Sequence, residues 1–273
     1  GSFSRRAPEA PRRDVAFREM VAMLARDEYV YPVDAIDFAN FFDDGAIYLL
    51  CFDPPYYKIV EDDWDNAWKS LDEYVKWFMR LLAAYKPKIA PTGSVVFFGQ
   101  LGSPGIRPLQ RILLEIEDQD LYLVRNQIAW KKRRAYGKSH DYLFCREEIV
   151  WLSQSRERTG VTFNIPYLSE KRGYEGWNKD FPAKSEYKRV SNVWADIPEL
   201  MRPERSCQKP IELLDRIIQT HSNPGDLVVD PFVGYGTCGM SALKNGRDFV
   251  GCDLAEDYRD ADRRIRSSYM PCP

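Results

Sequence analysis

One stretch near the C-terminal end restricts the fold more than any other. Leu227-Val-Val-Asp230-Pro-Phe-Val-Gly234-Tyr-Gly236-Thr237 leads into a helical segment, Gly246, and then Phe249-Val-Gly-Cys-Asp253. The order is strand, glycine turn, helix, strand. Glycines at the end of a parallel strand let the backbone approach a ligand, and an acid about 20 positions further on, closing the next strand, can bond ribose hydroxyls. Asp253 lies 23 positions after Asp230. A glycine turn alone needs no ligand. The strand context and Asp253 favour one, and because the turn lacks the GxGxxG spacing that seats a pyrophosphate, a mononucleoside cofactor fits better than a dinucleotide.

Ile47-Tyr-Leu-Leu-Cys-Phe52 is continuously apolar, as a strand buried on both faces of a parallel sheet must be, and it ends in Asp53-Pro54-Pro55-Tyr56. From Trp68 onward, Leu71, Val75, Phe78, Leu82 and Tyr85 recur at helical spacing, and Lys86-Pro87 closes that helix. Val95-Val-Phe-Phe98 follows a Pro91-Thr-Gly93 turn as a second buried strand, completing a strand, helix, strand unit. A helix is expected within about 106–117, with strands in 121–130 and 148–152. Another helix begins at Lys209-Pro210, with Leu213, Leu214, Ile217, Ile218 and His221 on one face, and Asn223-Pro-Gly225 ends it. The fold class is α/β, a mostly parallel doubly wound sheet.

Asp53-Pro54-Pro55-Tyr56 thus sits beyond the C-terminal end of a parallel strand, where open α/β sheets place ligands. Asp-Pro-Pro could be a simple strand-ending turn. The distant glycine unit gives it a chemical reading. The lone pair of a nucleobase amino group is delocalised into the ring. Asp53 and the Pro54 carbonyl, by accepting its two N–H groups, would pull it toward tetrahedral geometry and free that lone pair. Tyr56 offers a face for a base flipped out of a duplex.

The two segments resemble motif IV (DPPY) and motif I (FxGxG, here Phe232-Val-Gly234-Tyr-Gly236) of the DNA amino-methyltransferases. Motif IV preceding motif I is similar to the circularly permuted beta class, and the resemblance runs from about Asp43 to Tyr258. Asp62-Asp63-Trp64-Asp65, Trp130-Lys131, Glu147 to Trp151 and Gln208-Lys209-Pro210 fall where that class has similar residues. The resemblance implies a Rossmann-like methyltransferase fold using S-adenosylmethionine. Phe232, Gly234, Gly236 and Thr237 would hold the cofactor, Asp253 its ribose and Asp230 its methionine portion, with Lys209 nearby. It implies an N(6)-adenine enzyme acting on a specific DNA site, as in restriction-modification. N(4)-cytosine is the runner-up, because DPPY is the commoner pattern among adenine enzymes, and an inactive DNA-binding subunit of the same fold is the alternative from another class. Relatives of the class are often dimers.

The 273 residues carry a formal net charge of -2, so any DNA surface must be a local patch. Lys131, Lys132, Arg133, Arg134 and Lys138 form the densest basic cluster, after a strand expected to end at the same cleft. Between Ser153 and Arg205 the periodicity disappears, and 153–205 reads as an insertion, a candidate target-recognition region by resemblance and otherwise an exposed loop. It separates a catalytic half, 31–152, from a cofactor-binding half, 206–273. Residues 1–30 read as an arm, rich in arginine and proline near its start, behind a Gly1-Ser2 tag scar. Six scattered cysteines without a CxxC pair and only two histidines argue against a metal site and for a reduced intracellular compartment, cytoplasmic or nucleoid-associated. No apolar run approaches the roughly 18–20 residues of a membrane span.

Overall fold

The computed structural model describes residues 28–57, 68–103, 105–137, 139–157, 159–173, 185–205 and 208–269. Eight strands form one sheet: β1 (Val30–Tyr31), β2 (Ile47–Phe52), β3 (Ile89–Gly99), β4 (Leu123–Tyr136), β5 (Phe144–Ser153), β8 (Val193–Trp194), β9 (Leu227–Asp230) and β10 (Asp248–Cys252). Their order is β1-β10-β9-β2-β3-β5-β4-β8. The first five in that order are parallel, and β5 runs against both its neighbours.

Helices cover both faces, which makes the sheet doubly wound. On one side lie α1 (Ala35–Phe38), α2 (Leu71–Tyr85) and α3 (Pro108–Asp118), sharing a core with Leu50, Phe52, Val95 and Phe97. On the other lie α4 (Ile211–His221), α5 (Thr237–Lys244) and α6 (Tyr258–Tyr269), packed on Leu49, Cys51, Val96, Phe98 and Val228. The alternation of Leu49, Leu50, Cys51 and Phe52 between the two cores explains why β2 has an unbroken apolar sequence. In α2 the Ser70 hydroxyl accepts the Glu73 N–H at 3.2 Å, and Asp72 and Glu73 complement the dipole of the first turn. Its buried Phe78 and Leu82 each contribute about 1.5–3 kcal/mol. His221, buried at the end of α4 against Trp151 and Phe163, is held neutral by burial, which lowers its pKa to about 3.

Three stretches differ from the sequence expectation. β3 begins at Ile89, so Pro91-Thr92-Gly93 lies inside the strand, where the register against β2 shifts between Ile47 and Leu49. Strand and turn are reconciled by Gly93: a Cβ there would meet Ile89 Cγ2 at 2.9 Å and Ile47 O at 3.0 Å. β4 and β5 run on to Tyr136 and back from Phe144, beyond the expected limits of 130 and 148. Within 153–205, β6 (Tyr167–Lys171) and β7 (Tyr187–Arg189) form a separate two-stranded sheet, whereas β8 joins the main sheet beside β4. No described helix is long and apolar enough to cross a membrane.

β1 comes early in the chain yet closes the edge formed by β10. Asp262 of α6 accepts the N–H groups of Tyr29 at 2.6 Å and Val30 at 3.2 Å, tying that edge down.

Candidate active site

Between β2 and β9 the winding of the sheet reverses, and a crevice opens beyond the strand ends. Leu50 pairs with Val229 there, so that Asp230, the last residue of β9, and Asp53, just past the end of β2, both reach this edge. Because β5 is antiparallel, its beginning reaches this same edge: Glu148 faces Gly99, the last residue of β3. A cavity of about 270 Å³ lies between the Asp53-Tyr56 loop, the Phe232-Cys238 turn and Lys209.

The glycine turn is organised by its own backbone. Gly234 and Gly236 take φ of 54° and 99°, which only glycine adopts readily. The Asp230 carboxylate accepts the Phe232 N–H at 2.9 Å, while Asp253 accepts Gly234 N–H at 2.7 Å and Ala255 N–H at 2.8 Å. Asp253 therefore fixes the turn as well as facing the cavity. A Cβ on Gly234 would have only Phe232 O within 4 Å, at 3.9 Å, so the turn leaves open space beside it. Burial pushes the Asp230 carboxyl up to about 8, with the charges of Asp253 and Asp53 adding to it.

Asp53, by contrast, is held by side chains. Tyr56 donates its hydroxyl to Oδ1 at 2.5 Å, and the Lys209 ammonium donates to Oδ2 at 2.6 Å. Lys209 also lies 3.1 Å from Glu147 Oε2, and Glu147 Oε1 accepts Lys132. Burial would lower the Lys209 pKa, but Asp53 and Glu147 outweigh it and hold the ammonium charged. Glu147 is driven up by burial and further down by Lys209 and Lys132, ending below the usual range. Asp53 is raised, by burial first and then by Glu147, against the pull of Lys209. Tyr74 donates to the Pro55 carbonyl at 3.0 Å, so it does not compete for that of Pro54.

The structure thus brings Asp53, Pro54, Pro55, Tyr56, Lys209, Asp230, Phe232, Gly234, Thr237 and Asp253 around one cavity. Gly236 packs behind it, where a Cβ would touch Ile265 Cγ1 at 3.2 Å. Tyr56 is buried at 8% exposure, its ring packed near Lys209. Of the basic cluster, Lys132 turns inward to Glu147, and Arg134 bonds the Met201 carbonyl at 2.8 Å. Glu199 accepts the backbone N–H groups of Arg133 and Arg134 at 2.7 and 2.9 Å, anchoring the segment. Lys131, Arg133 and Arg134 are exposed. Lys138, the 62–65 acidic run, residues 1–27 and the 174–184 part of the insertion lie outside the described residues. Glu147 has no role legible in the sequence beyond the likeness of Glu147 to Trp151 to the beta class; the available signal was an acid near the start of a strand otherwise built for burial.

Residues 47–263 match the model of the N6_N4_Mtase family, described as DNA methylase. The chain belongs to this family. The type II methyltransferase M1.MboII of Moraxella bovis is 26% identical over 250 residues, which cover 84% of this chain and 92% of that one. Among solved structures, the cytosine-N4-specific PvuII DNA methyltransferase superposes with a TM-score of 0.65 at 18% identity, covering 88% of this chain and 90% of that one. TTHA0409 of Thermus thermophilus, complexed with S-adenosyl-L-methionine, gives 0.59 at 20% identity, covering 89% and 94%. The methylase shares its fold with both.

Proposed function

We propose that this DNA methylase transfers the methyl group of S-adenosylmethionine to the exocyclic N(6) amino group of adenine at a specific DNA site, with Asp53-Pro54-Pro55-Tyr56 as its catalytic segment. The observation that carries the reading is the placement of Asp53, an anchored carboxylate, across one cavity from the Phe232-Thr237 turn. The cavity suits the cofactor. Asp230 and Asp253 offer acceptors for its amino and hydroxyl groups, Phe232 and Leu214 offer apolar walls, and the space beside Gly234 is open. When bound, S-adenosylmethionine would supply an electrophilic methyl group, whose bond to the sulfonium sulfur breaks as the new bond forms and leaves the neutral thioether S-adenosylhomocysteine.

The protein's part is then to prepare the nucleophile. Asp53 and the Pro54 carbonyl accept the two amino N–H bonds and release the nitrogen lone pair toward the methyl group. A carboxylate has about four acceptor positions, so Asp53 can do this while Tyr56 and Lys209 keep theirs. As the C–N bond forms, the nitrogen sheds one proton, and Asp53 is the base beside it. The base must leave the duplex to reach this cavity. Lys131, Arg133 and Arg134, and the β6–β7 insertion, are the surfaces we assign to DNA, the former for phosphates and the latter for the target sequence.

Adenine rests on the DPPY pattern, the commoner one among adenine enzymes. The N(4)-cytosine reading draws on the PvuII enzyme's fold. DNA treated with the protein and S-adenosylmethionine, digested to nucleosides and separated by mass, should contain N(6)-methyladenine. Methylcytosine without methyladenine would reverse the base assignment, and unmethylated DNA would overturn the reading.

A further inference from the structure

Asp53, Lys209, Glu147 and Lys132 form an alternating chain of charges that runs from the cavity to β4. Lys209 is its centre, 7% exposed, with its ammonium 2.6 Å from Asp53 Oδ2 and 3.1 Å from Glu147 Oε2, and 4.9 Å above the Phe98 ring. Glu147 is 5% exposed. Buried charges at such sites cost several kcal/mol each in lost solvation, so a buried chain of them is maintained only if it stabilises the fold by pairing or serves the chemistry. Its Asp53 end faces the cavity between the two motifs.

We propose that Lys209 and Glu147 are positioning residues for the methyl-transfer reaction: Lys209 holds Asp53 oriented and anionic, and Glu147 holds Lys209 from the opposite side so that it does not neutralise Asp53 completely. This rests on the methyltransferase reading above. The chemical need is specific. An anionic Asp53 is an acceptor only, whereas a protonated one presents an O–H donor that competes with the amino group it must bind. Asp53 is half-buried, its side chain 24% exposed, and faces Tyr56 on its own loop, Lys209 ahead of α4, Glu147 on β5 and, more weakly, Asp230 on β9. Of these, Lys209 is the one cation. Without it, burial and Glu147 would both favour the proton.

The two partners must therefore act on Asp53 in opposite senses, and a role in the reaction carries those shifts into the pH dependence of methyl transfer, which a merely structural role would not. Removing Lys209 raises the pH at which Asp53 loses its proton; removing Glu147 lowers it. The test is a titration of the Asp53 carboxyl in protein labelled with carboxyl-¹³C aspartate, its signal assigned by loss in Asp53→Asn. Lys209→Met should move the midpoint up by ~1 pH unit or more, Glu147→Gln should move it down, and Lys209→Arg should bring it back toward the parent protein. The acid limb of the pH profile for methyl transfer to DNA should follow the same order. Unmoved midpoints, or a shift in one direction for both variants, overturn the proposal. If Lys209→Met does not fold, Glu147→Gln and Lys209→Arg still decide it: a downward shift for the first and none for the second support it, and the reverse sinks it. Opposite shifts in a protein that methylates no DNA would retain the electrostatic pair and discard the methyltransferase reading instead.

Discussion

The two sides of the cavity are built by different means. On the side we assign to the cofactor, Asp230 and Asp253 are held by N–H groups from their own neighbourhood, Phe232, Gly234 and Ala255, so the turn organises itself within one strand, helix, strand unit. On the side we assign to catalysis, Asp53 is held by Tyr56 of its own loop and by Lys209, 156 residues away in sequence, which is itself paired with Glu147 from an antiparallel strand. The first arrangement tolerates changes elsewhere in the chain. The second depends on the whole sheet being assembled, and it can be tuned by residues that never touch substrate.

The contrast is sharpest for Asp53→Asn, which should lower methyl transfer about 10²–10³-fold while leaving cofactor affinity intact, checked by labelled methyl incorporation and by calorimetry. If affinity falls in parallel with rate, the two sides are not separable. The next largest effect concerns pH. Asp230 is raised to about 8 in the fold from an ordinary value of 3.8, so its contribution to stability is fully present below the lower value and is lost as pH rises through the upper one. Asp230→Asn should flatten the fall in thermal stability across that window, a difference of up to a few kcal/mol. An unchanged slope would mean that the buried carboxyl is ionised throughout. Gly236→Ala places a side chain at φ 99° against Ile265 and should cost ~1–3 kcal/mol, read as a lower melting temperature with weaker cofactor binding. The smallest effect expected is for Asp253→Ala, a loss of about tenfold in cofactor affinity, worth about 1.4 kcal/mol, as the Gly234 and Ala255 N–H groups lose their acceptor. An affinity equal to the parent protein's would show that the turn holds its shape without Asp253.

The same contrast explains what could be read from the chain alone. The glycine turn, its acidic partner at 253 and the apolar run before Asp53 are local patterns, and local patterns survive in sequence. The helix face of Leu71, Val75, Phe78, Leu82 and Tyr85 was legible for the same reason, since all but Leu71 are buried as its spacing predicts. The partnership of Lys209 with Asp53 was not, because only the sheet order brings segments so far apart together. Glu147 was hidden by direction as well as by distance. Motif reasoning looks to the C-terminal ends of parallel strands, and Glu147 reaches the same edge near the start of an antiparallel one. Pro91-Thr92-Gly93 read as a turn because proline and glycine usually mark one; here the same residues accommodate a change of register inside β3. Lys132 reads as part of the DNA-facing basic cluster because nothing local reveals a buried acid across the β4–β5 ladder.

The edge closed by β1 has a consequence for how such a chain is made. Tyr29 and Asp262, which share a hydrogen bond, are 233 residues apart. At typical rates of synthesis roughly 10–50 seconds separate their emergence, and throughout that interval Val30 and Tyr31 have neither β10 to pair with nor α6 to cap them. An apolar strand left unpaired for so long is a template for the wrong neighbour. β1 is only two residues long, too short to hold such a neighbour firmly, and the partners that close over it, β10 and α6, are made after almost all the rest of the chain.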